Sequence, residues 1–160
     1  PVFEELVEAV EHLDDLWLLV KPHQAESATP YVEVLSRLSP SRSRLVDTSM
    51  NLLELLFASD GLITVDSFAS SEALVLGRPV VVVNLPSNLA SLVDRGVALG
   101  VARGASIEAA LRRLLFEDRL ARQLEEKRKV YLREFAFGAD GGSTERIVEA
   151  ILETAEVRSR

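Results

Sequence analysis

Four consecutive valines at positions 80–83 constrain the fold of this chain more than any other feature of its sequence. Successive side chains of a β-strand point to opposite faces of the sheet, so this run must be covered on both faces. Strands buried on both faces are typical of parallel sheets with helices packed on either side. The run therefore predicts a central strand of a doubly wound α/β fold.

Short apolar runs and helical periods alternate along the chain, which indicates parallel strands joined by right-handed crossovers. Strands are predicted at 16–20, 44–47, 61–65, 80–84 and 97–102. Helices are predicted at 3–13, 51–58, 70–77, 88–95, 106–116, 118–135 and 143–157. A further helix opens with Thr29 as its N-cap and Pro30 at its first position, and the glycine-rich stretch 138–142 separates the last two helices. We therefore expect a Rossmann-like parallel sheet of about five strands, covered on both faces, with a helical carboxyl-terminal segment that packs back over it.

Composition excludes several classes of function. The chain has 25 acidic and 18 basic residues, a net charge of −7, which argues against a nucleic-acid partner. It has no cysteine, which excludes disulfides, thiolate zinc sites and cysteine nucleophiles. Apolar residues make up 48% of the chain, but no apolar run reaches the roughly 18 residues of a membrane span. Because no signal peptide is recognised either, we expect a cytoplasmic protein without a membrane span.

Domain organisation follows from the order of the predicted elements. Residues 1–160 contain no internal repeat or linker, so they predict a single Rossmann-like domain. The first predicted element is a helix, whereas doubly wound domains usually begin with a strand. We therefore expect this domain to be part of a longer protein, in which a strand or a whole domain precedes it.

Candidate binding residues lie beyond the carboxyl ends of the strands, where open parallel sheets bind their ligands. The turns there are 21–23, 47–49, 66–71 and 85–88, and the last contains Ser87 and Asn88. The third turn carries the hydroxyls of Ser67, Ser70 and Ser71 at the start of a helix. Hydroxyls and backbone amides in such a place bind phosphate oxygens, although ordinary helix capping uses the same residues.

Two titratable residues at this edge are candidates for chemistry. Glu72, in the first turn of the helix, suits either the helix dipole or the hydroxyls of a ribose. His23 closes the first strand and is a candidate phosphate ligand or proton shuttle, or alternatively a plain surface residue. No metal-ligand spacing, nucleophile elbow or Walker loop occurs, so neither a metal nor a cofactor is predicted.

Three segments resemble a known group of enzymes. They are DSFASSEALVLGRPVVVVN preceded by LLFASDGLIT, LLVKPHQAE near the amino terminus, and ADGGSTERIVEAIL near the carboxyl terminus. Together they are similar to the carboxyl-terminal, donor-binding domain of GT-B-type nucleotide-sugar enzymes. UDP-N-acetylglucosamine 2-epimerases, CDP-glycerol glycerophosphotransferases and capsule glycosyltransferases belong to this group.

The resemblance implies a function and roles for the candidate residues. The serines of the third turn would face the diphosphate or sugar of a nucleotide-linked donor such as a UDP-sugar, and Glu72 would hold the ribose. His23 would point into a cleft shared with an amino-terminal domain that carries the acceptor, so the isolated half would be inactive. The sequence departs from the pattern of the group at Gln24, at Thr64 and at 67–69.

Two other functions remain open at this point. One is a self-standing binding or regulatory module with the same fold and no chemistry. The other is a hydrolase or phosphatase on a flavodoxin-like sheet, which would need Asp47 and Asp66 as a metal-binding acidic pair.

Overall fold

The computed structural model describes residues 2–135 and 141–158, and within these ranges short strands alternate with helices. The strands are β1 (Leu18–Val20), β2 (Ser43–Leu45), β3 (Leu62–Thr64), β4 (Val80–Leu85) and β5 (Leu99–Ala102). The helices are α1 (Val2–Glu11), α2 (Thr29–Leu38), α3 (Leu52–Ala58), α4 (Ala69–Val75), α5 (Ala90–Asp94), α6 (Ile107–Phe116), α7 (Asp118–Glu134) and α8 (Ser143–Arg158). The predicted α/β class is confirmed. Of the predicted glycine-rich break, residues 138–140 lie outside the described residues.

The five strands form two parallel sheets rather than the single sheet expected. β1 pairs with β2, with Leu18 opposite Ser43. β4 lies between β3 and β5, and its Val82 is opposite Thr64 on one side and Gly100 on the other. No ladder joins β1 to β3 within the described residues, so the five parallel strands that were predicted are present but divided between two sheets.

The four valines of β4 are buried on both faces, as their pattern predicts, with exposures of 2% or less. Val81 and Val83 belong to a cluster with most of the buried residues of α1 and with those of α6. Val80 and Val82 belong to a second cluster, with Leu56 of α3, Ala73 and Leu74 of α4, and Leu92 of α5. The two-residue period of the strand therefore supplies alternate side chains to two separate cores.

The starts of the helices follow local hydrogen bonding. Asn51 caps α3, because its Oδ1 accepts a hydrogen bond from Leu53 N at 2.9 Å. The prediction that Thr29 caps α2 was wrong. Thr29 is instead the first residue of the helix. Its amide donates a hydrogen bond to Ser27 Oγ at 3.2 Å, so the hydroxyl that binds this amide belongs to Ser27, which precedes the helix.

The three carboxyl-terminal helices differ in how they pack. α6 lies against α1, and α7 lies against α4, where Arg128 Nη1 donates to Leu74 O at 3.0 Å. The side chains of α8 at 143–155 are all exposed, so the expectation that this helix packs back over the sheet was wrong. No helix in the described part of the chain is long and apolar enough to span a membrane.

Candidate functional site

The turns after β3 and β4 meet at the carboxyl edge of the three-stranded sheet. They surround an open depression of about 420 Å³, lined by Val65, Asp66, Asn84, Pro86, Ser87 and Asn88. Asn88 Nδ2 donates a hydrogen bond to Asp66 Oδ2 and so connects the two turns. The structure therefore places the predicted residues Ser87 and Asn88 together with Asp66, at the edge where the sequence predicts a ligand.

Residues 67–71, which we call the serine turn, directly follow Asp66, and their serines differ in exposure. Ser67 is exposed, and its Oγ accepts a hydrogen bond from Ala69 N at 3.2 Å. Ser70 is only 1% exposed, and its hydroxyl donates to Ser67 O at 2.8 Å. Ser70 therefore stabilises the turn from beneath, whereas Ser67 is open to solvent.

The beginning of α4 carries the other two predicted binding residues. Ser71 is half-buried, and its amide donates to Phe68 O at 2.9 Å. Glu72 is exposed in the first turn of a helix only seven residues long. Phe68, at the tip of the turn, is 92% exposed. Nothing within the described residues covers this side of the turn, so it is open to a ligand or to another domain.

Arg103 and Asn84 are two residues of this edge that the sequence analysis missed. Asn84 ends the valine run with a φ of 63°, in the left-handed region that asparagine tolerates better than most residues. Its Oδ1 accepts a hydrogen bond from Arg103 Nε at 3.1 Å. Arg103 follows β5 and is exposed, so it brings a positive charge to the edge. Its position directly after the strand predicted at 97–102 is the signal in the sequence that indicates it.

His23 lies in the turn after β1, which belongs to the other sheet. Its Nδ1 accepts a hydrogen bond from Ala25 N at 3.1 Å, and its amide donates to Glu26 Oε2 at 3.2 Å. With Nδ1 acting as an acceptor, the proton of the neutral ring is on Nε2. His23 is thus an exposed donor, and no hydrogen bond within the described residues connects it to the serine turn.

Charged groups at the ends of β1 and β2 are both hydrogen-bonded to the turn after β2. Lys21 Nζ donates to Thr48 O at 2.7 Å and links the two strand ends. Asp47 accepts a hydrogen bond from Ser49 N at 2.7 Å. Hydrogen bonds from Ser49, with a smaller contribution from the Lys21 charge, lower the pKa of Asp47 below its ordinary value. Asp47 is therefore ionised at neutral pH and holds its own turn.

A metal centre has no support in the described part of the chain. No group of three or more His, Asp or Glu side chains there is arranged to hold an ion. Asp47 and Asp66 follow strands of different sheets, and each is hydrogen-bonded within its own edge. The acidic pair required by the hydrolase hypothesis is not brought together.

Parallel strands, crossover helices and polar turns at the carboxyl edge define a Rossmann-like α/β domain. Similar solved structures include a UDP-N-acetylglucosamine 2-epimerase, at 20% identity and a TM-score of 0.67, over 99% of this chain and 42% of that one. The S. aureus MnaA–UDP co-structure has 22% identity and a TM-score of 0.70, over 99% of this chain and 42% of that one. A glycotransferase of kitacinnamycin has 22% identity and a TM-score of 0.66, over 96% of this chain and 39% of that one.

These likenesses confirm, at the level of the fold, the predicted resemblance to a nucleotide-sugar epimerase and to GT-B glycosyltransferases. The chain spans about two fifths of the length of these structures. No protein-family model matches the sequence. No curated protein matches it either.

Proposed function

We propose that this chain is the donor-binding half of a glycosyltransferase-like enzyme whose donor is a nucleoside-diphosphate sugar or polyol. The observation that carries the proposal is the convergence of exposed polar groups after β3 and β4, with a cation after β5, at one edge of a parallel sheet. The fold likeness to nucleotide-sugar enzymes supports it, and one of those structures was solved with UDP. The longer similar structures support a second, amino-terminal domain as the partner of this one.

The pyrophosphate would be bound by the donors at this edge. The Ser67 hydroxyl is exposed beside the depression, and the Arg103 guanidinium has further N–H groups beyond the one that Asn84 accepts. An arginine donates charge-assisted hydrogen bonds to phosphate oxygens, so it offsets their charge in an otherwise acidic protein. Asn88 and Ser87 would contact the sugar side, where Asp66 is a ready acceptor for hydroxyl groups.

The remaining predicted residues would have distinct tasks. Glu72 would accept hydrogen bonds from the ribose hydroxyls, and Ser71 would add a donor beside it. Ser70 would act through the turn, because its hydroxyl is already bound to Ser67 O. His23 presents an Nε2–H and would face the cleft towards the amino-terminal domain, where it would hold or move a proton at the phosphate or the acceptor. The isolated chain would bind the donor without turnover.

Calorimetric titration of the chain with UDP, CDP and GDP tests the proposal. We expect one nucleotide to bind at submillimolar to millimolar concentration, and Arg103→Gln to weaken it about tenfold through loss of a charge-assisted contact. Ser67→Ala and Glu72→Ala should also weaken binding. Ser36→Ala and Arg119→Gln, which change exposed residues of α2 and α7, are the matched controls. If all three nucleotides fail to bind the folded chain at several millimolar, or if the controls weaken binding equally, the proposal is wrong.

A further inference from the structure

A second cavity, of about 620 Å³, lies between the two sheets. One wall is formed by Leu18 and Leu19 of β1, and the facing wall by Leu62 and Ile63 of β3. Helices α1, α6, α4 and α7 contribute further apolar side chains around it. We call this space the intersheet cleft. Its lining is mostly apolar, in contrast to the polar turns at the carboxyl edge.

The two strands that border the intersheet cleft each have an unpaired edge. In the described residues β1 pairs with β2 alone and β3 with β4 alone. The N–H and C=O groups on their other edges therefore have no ladder partners, which is a costly arrangement beside an apolar surface. Large side chains on the cleft are also exposed: Trp17 by 59%, Leu19 by 48% and Leu115 by 46%. Such exposure contrasts with the complete burial of the valines of β4.

The order of the elements identifies what is missing from this space. In the dinucleotide-binding form of the doubly wound sheet the strand order is 3-2-1-4-5-6, so the first strand lies between the second and the fourth. If β1 is taken as the second strand of this order, then β2, β3, β4 and β5 occupy the third, fourth, fifth and sixth positions, and only the first position is unoccupied. The one vacant place is then the intersheet cleft. A right-handed crossover through α1 leads from that place to β1.

We propose that the intersheet cleft is the seat of a sixth strand, from the polypeptide segment that precedes α1, running parallel to β1 and β3. Its backbone pairs with both free edges and joins the two sheets into one. Its side chains are apolar on both faces, because Val10 and Leu111 border the cleft from one core and Leu74 from the other. The solved structures that match 99% of this chain are more than twice as long, so they contain further chain.

The test adds such a strand to the chain. Thr-Val-Ile-Val-Val-Thr followed by a short polar turn is fused before Pro1, and hydrogen exchange is measured at the amides of β1 and β3. We expect these amides to exchange at least about tenfold more slowly than in the unextended chain. Trp17 is the only tryptophan and borders the cleft, so its emission should move to shorter wavelength. Protection of Val81 and Val82 in β4 checks that both proteins are folded.

A matched control carries the same extension with proline at its second and fourth positions, which cannot donate to a ladder. Equal effects of the two extensions would overturn the proposal. It is also overturned if the unextended chain already protects β1 and β3 as strongly as β4. The proposal is likewise overturned if, in the unextended chain, the amides of β1 and β3 exchange more slowly as the protein concentration rises. A second copy of the chain would then occupy the cleft.

A second measurement does not depend on the added segment. The chain has no cysteine, and Leu18 and Ile63 pack against the same core cluster, so Leu18→Cys combined with Ile63→Cys places a single thiol pair across the cleft on one face of the strands. Space for one strand puts β1 and β3 about 9.6 Å apart, which is twice the usual strand spacing and beyond the reach of a disulfide. We expect no disulfide under mild oxidation, and cross-linking by a bifunctional maleimide of about that length. Spontaneous disulfide formation in the folded chain would show that the edges meet directly and would refute the proposal.

Discussion

Replacing Glu11 by alanine should measurably destabilise the domain, because this carboxylate joins the end of α1 to the start of β2. Its Oε2 accepts hydrogen bonds from Ser41 N at 3.0 Å and Ser41 Oγ at 2.8 Å, and its Oε1 accepts one from Arg42 N at 2.9 Å. The Arg42 guanidinium adds a further contact to the segment after α1, because it donates a hydrogen bond to Leu13 O at 3.0 Å. One side chain therefore holds the chain segment that enters the two-stranded sheet.

The size of the effect follows from these three hydrogen bonds. A hydrogen bond contributes about 0.5–1.5 kcal/mol net, and the half-exposed position of Glu11 puts each of these near the lower end. Their loss should reduce the free energy of unfolding by about 2 kcal/mol. In a domain of this size that corresponds to a fall in Tm of roughly 4–8 °C.

The contribution of Glu11 should also depend on pH. Partial burial raises the pKa of Glu11, but the hydrogen bonds from Ser41 and Arg42 together outweigh this and hold the pKa below its ordinary value. A carboxyl whose folded-state pKa is lowered stabilises the protein above its unfolded-state pKa of about 4.3. The stabilisation is lost as pH falls through the folded-state value. The difference in the free energy of unfolding between the parent chain and Glu11→Ala should therefore become smaller between pH 7 and pH 3.

Urea unfolding of both proteins at pH 7, 5 and 3, followed by far-ultraviolet circular dichroism, measures this difference. Glu8→Ala is the control, because Glu8 is exposed on the same helix. A difference at pH 7 below about 0.5 kcal/mol, comparable to ordinary surface substitutions, would refute the role given to Glu11. A difference that stays constant across the pH range would refute the ionic part of the reasoning.

Two further substitutions test the packing around the candidate site. Gly100→Ala should cost about 1–3 kcal/mol, because a Cβ there would lie 2.6 Å from Val93 Cγ1 and 2.7 Å from Leu85 Cδ1; an unchanged urea midpoint would contradict this. Ser70→Ala should cost about 1 kcal/mol by removing the 2.8 Å hydrogen bond to Ser67 O. Amide exchange should then quicken in the serine turn more than in β4, and equal changes in both places would count against a local role.

Much of the fold could be predicted because its signals are local. The valines of β4 are predicted to be buried on both faces by the alternation of side chains alone, and the structure confirms this. The break between β1 and β3 could not be predicted in this way. Which strands pair is decided by contacts distant in sequence, and each strand separately has the same apolar pattern whether its neighbour is present or absent.

The candidate site was predictable in its location and less so in its details. Ser87 and Asn88 lie at the expected edge because the ends of parallel strands all meet there. The different exposures of Ser67 and Ser70 depend on how α4 is turned relative to the sheet, which their shared residue type does not reveal. Arg103 directly follows the fifth predicted strand, so its place at this edge was predictable, whereas its hydrogen bond to Asn84, a residue 19 positions earlier, was not.

The division of the valines of β4 between two cores affects how this chain can tolerate change. A smaller side chain at Val81 would loosen the packing against α1 and α6, whereas a smaller side chain at Val82 would loosen the packing against α4 and α5. Interiors are too closely packed for a gap on one face to be filled from the other. A compensating substitution must therefore come from a residue on the same face of β4, even one distant in sequence. Substitutions at adjacent positions of the strand, which face different cores, should have independent effects on stability.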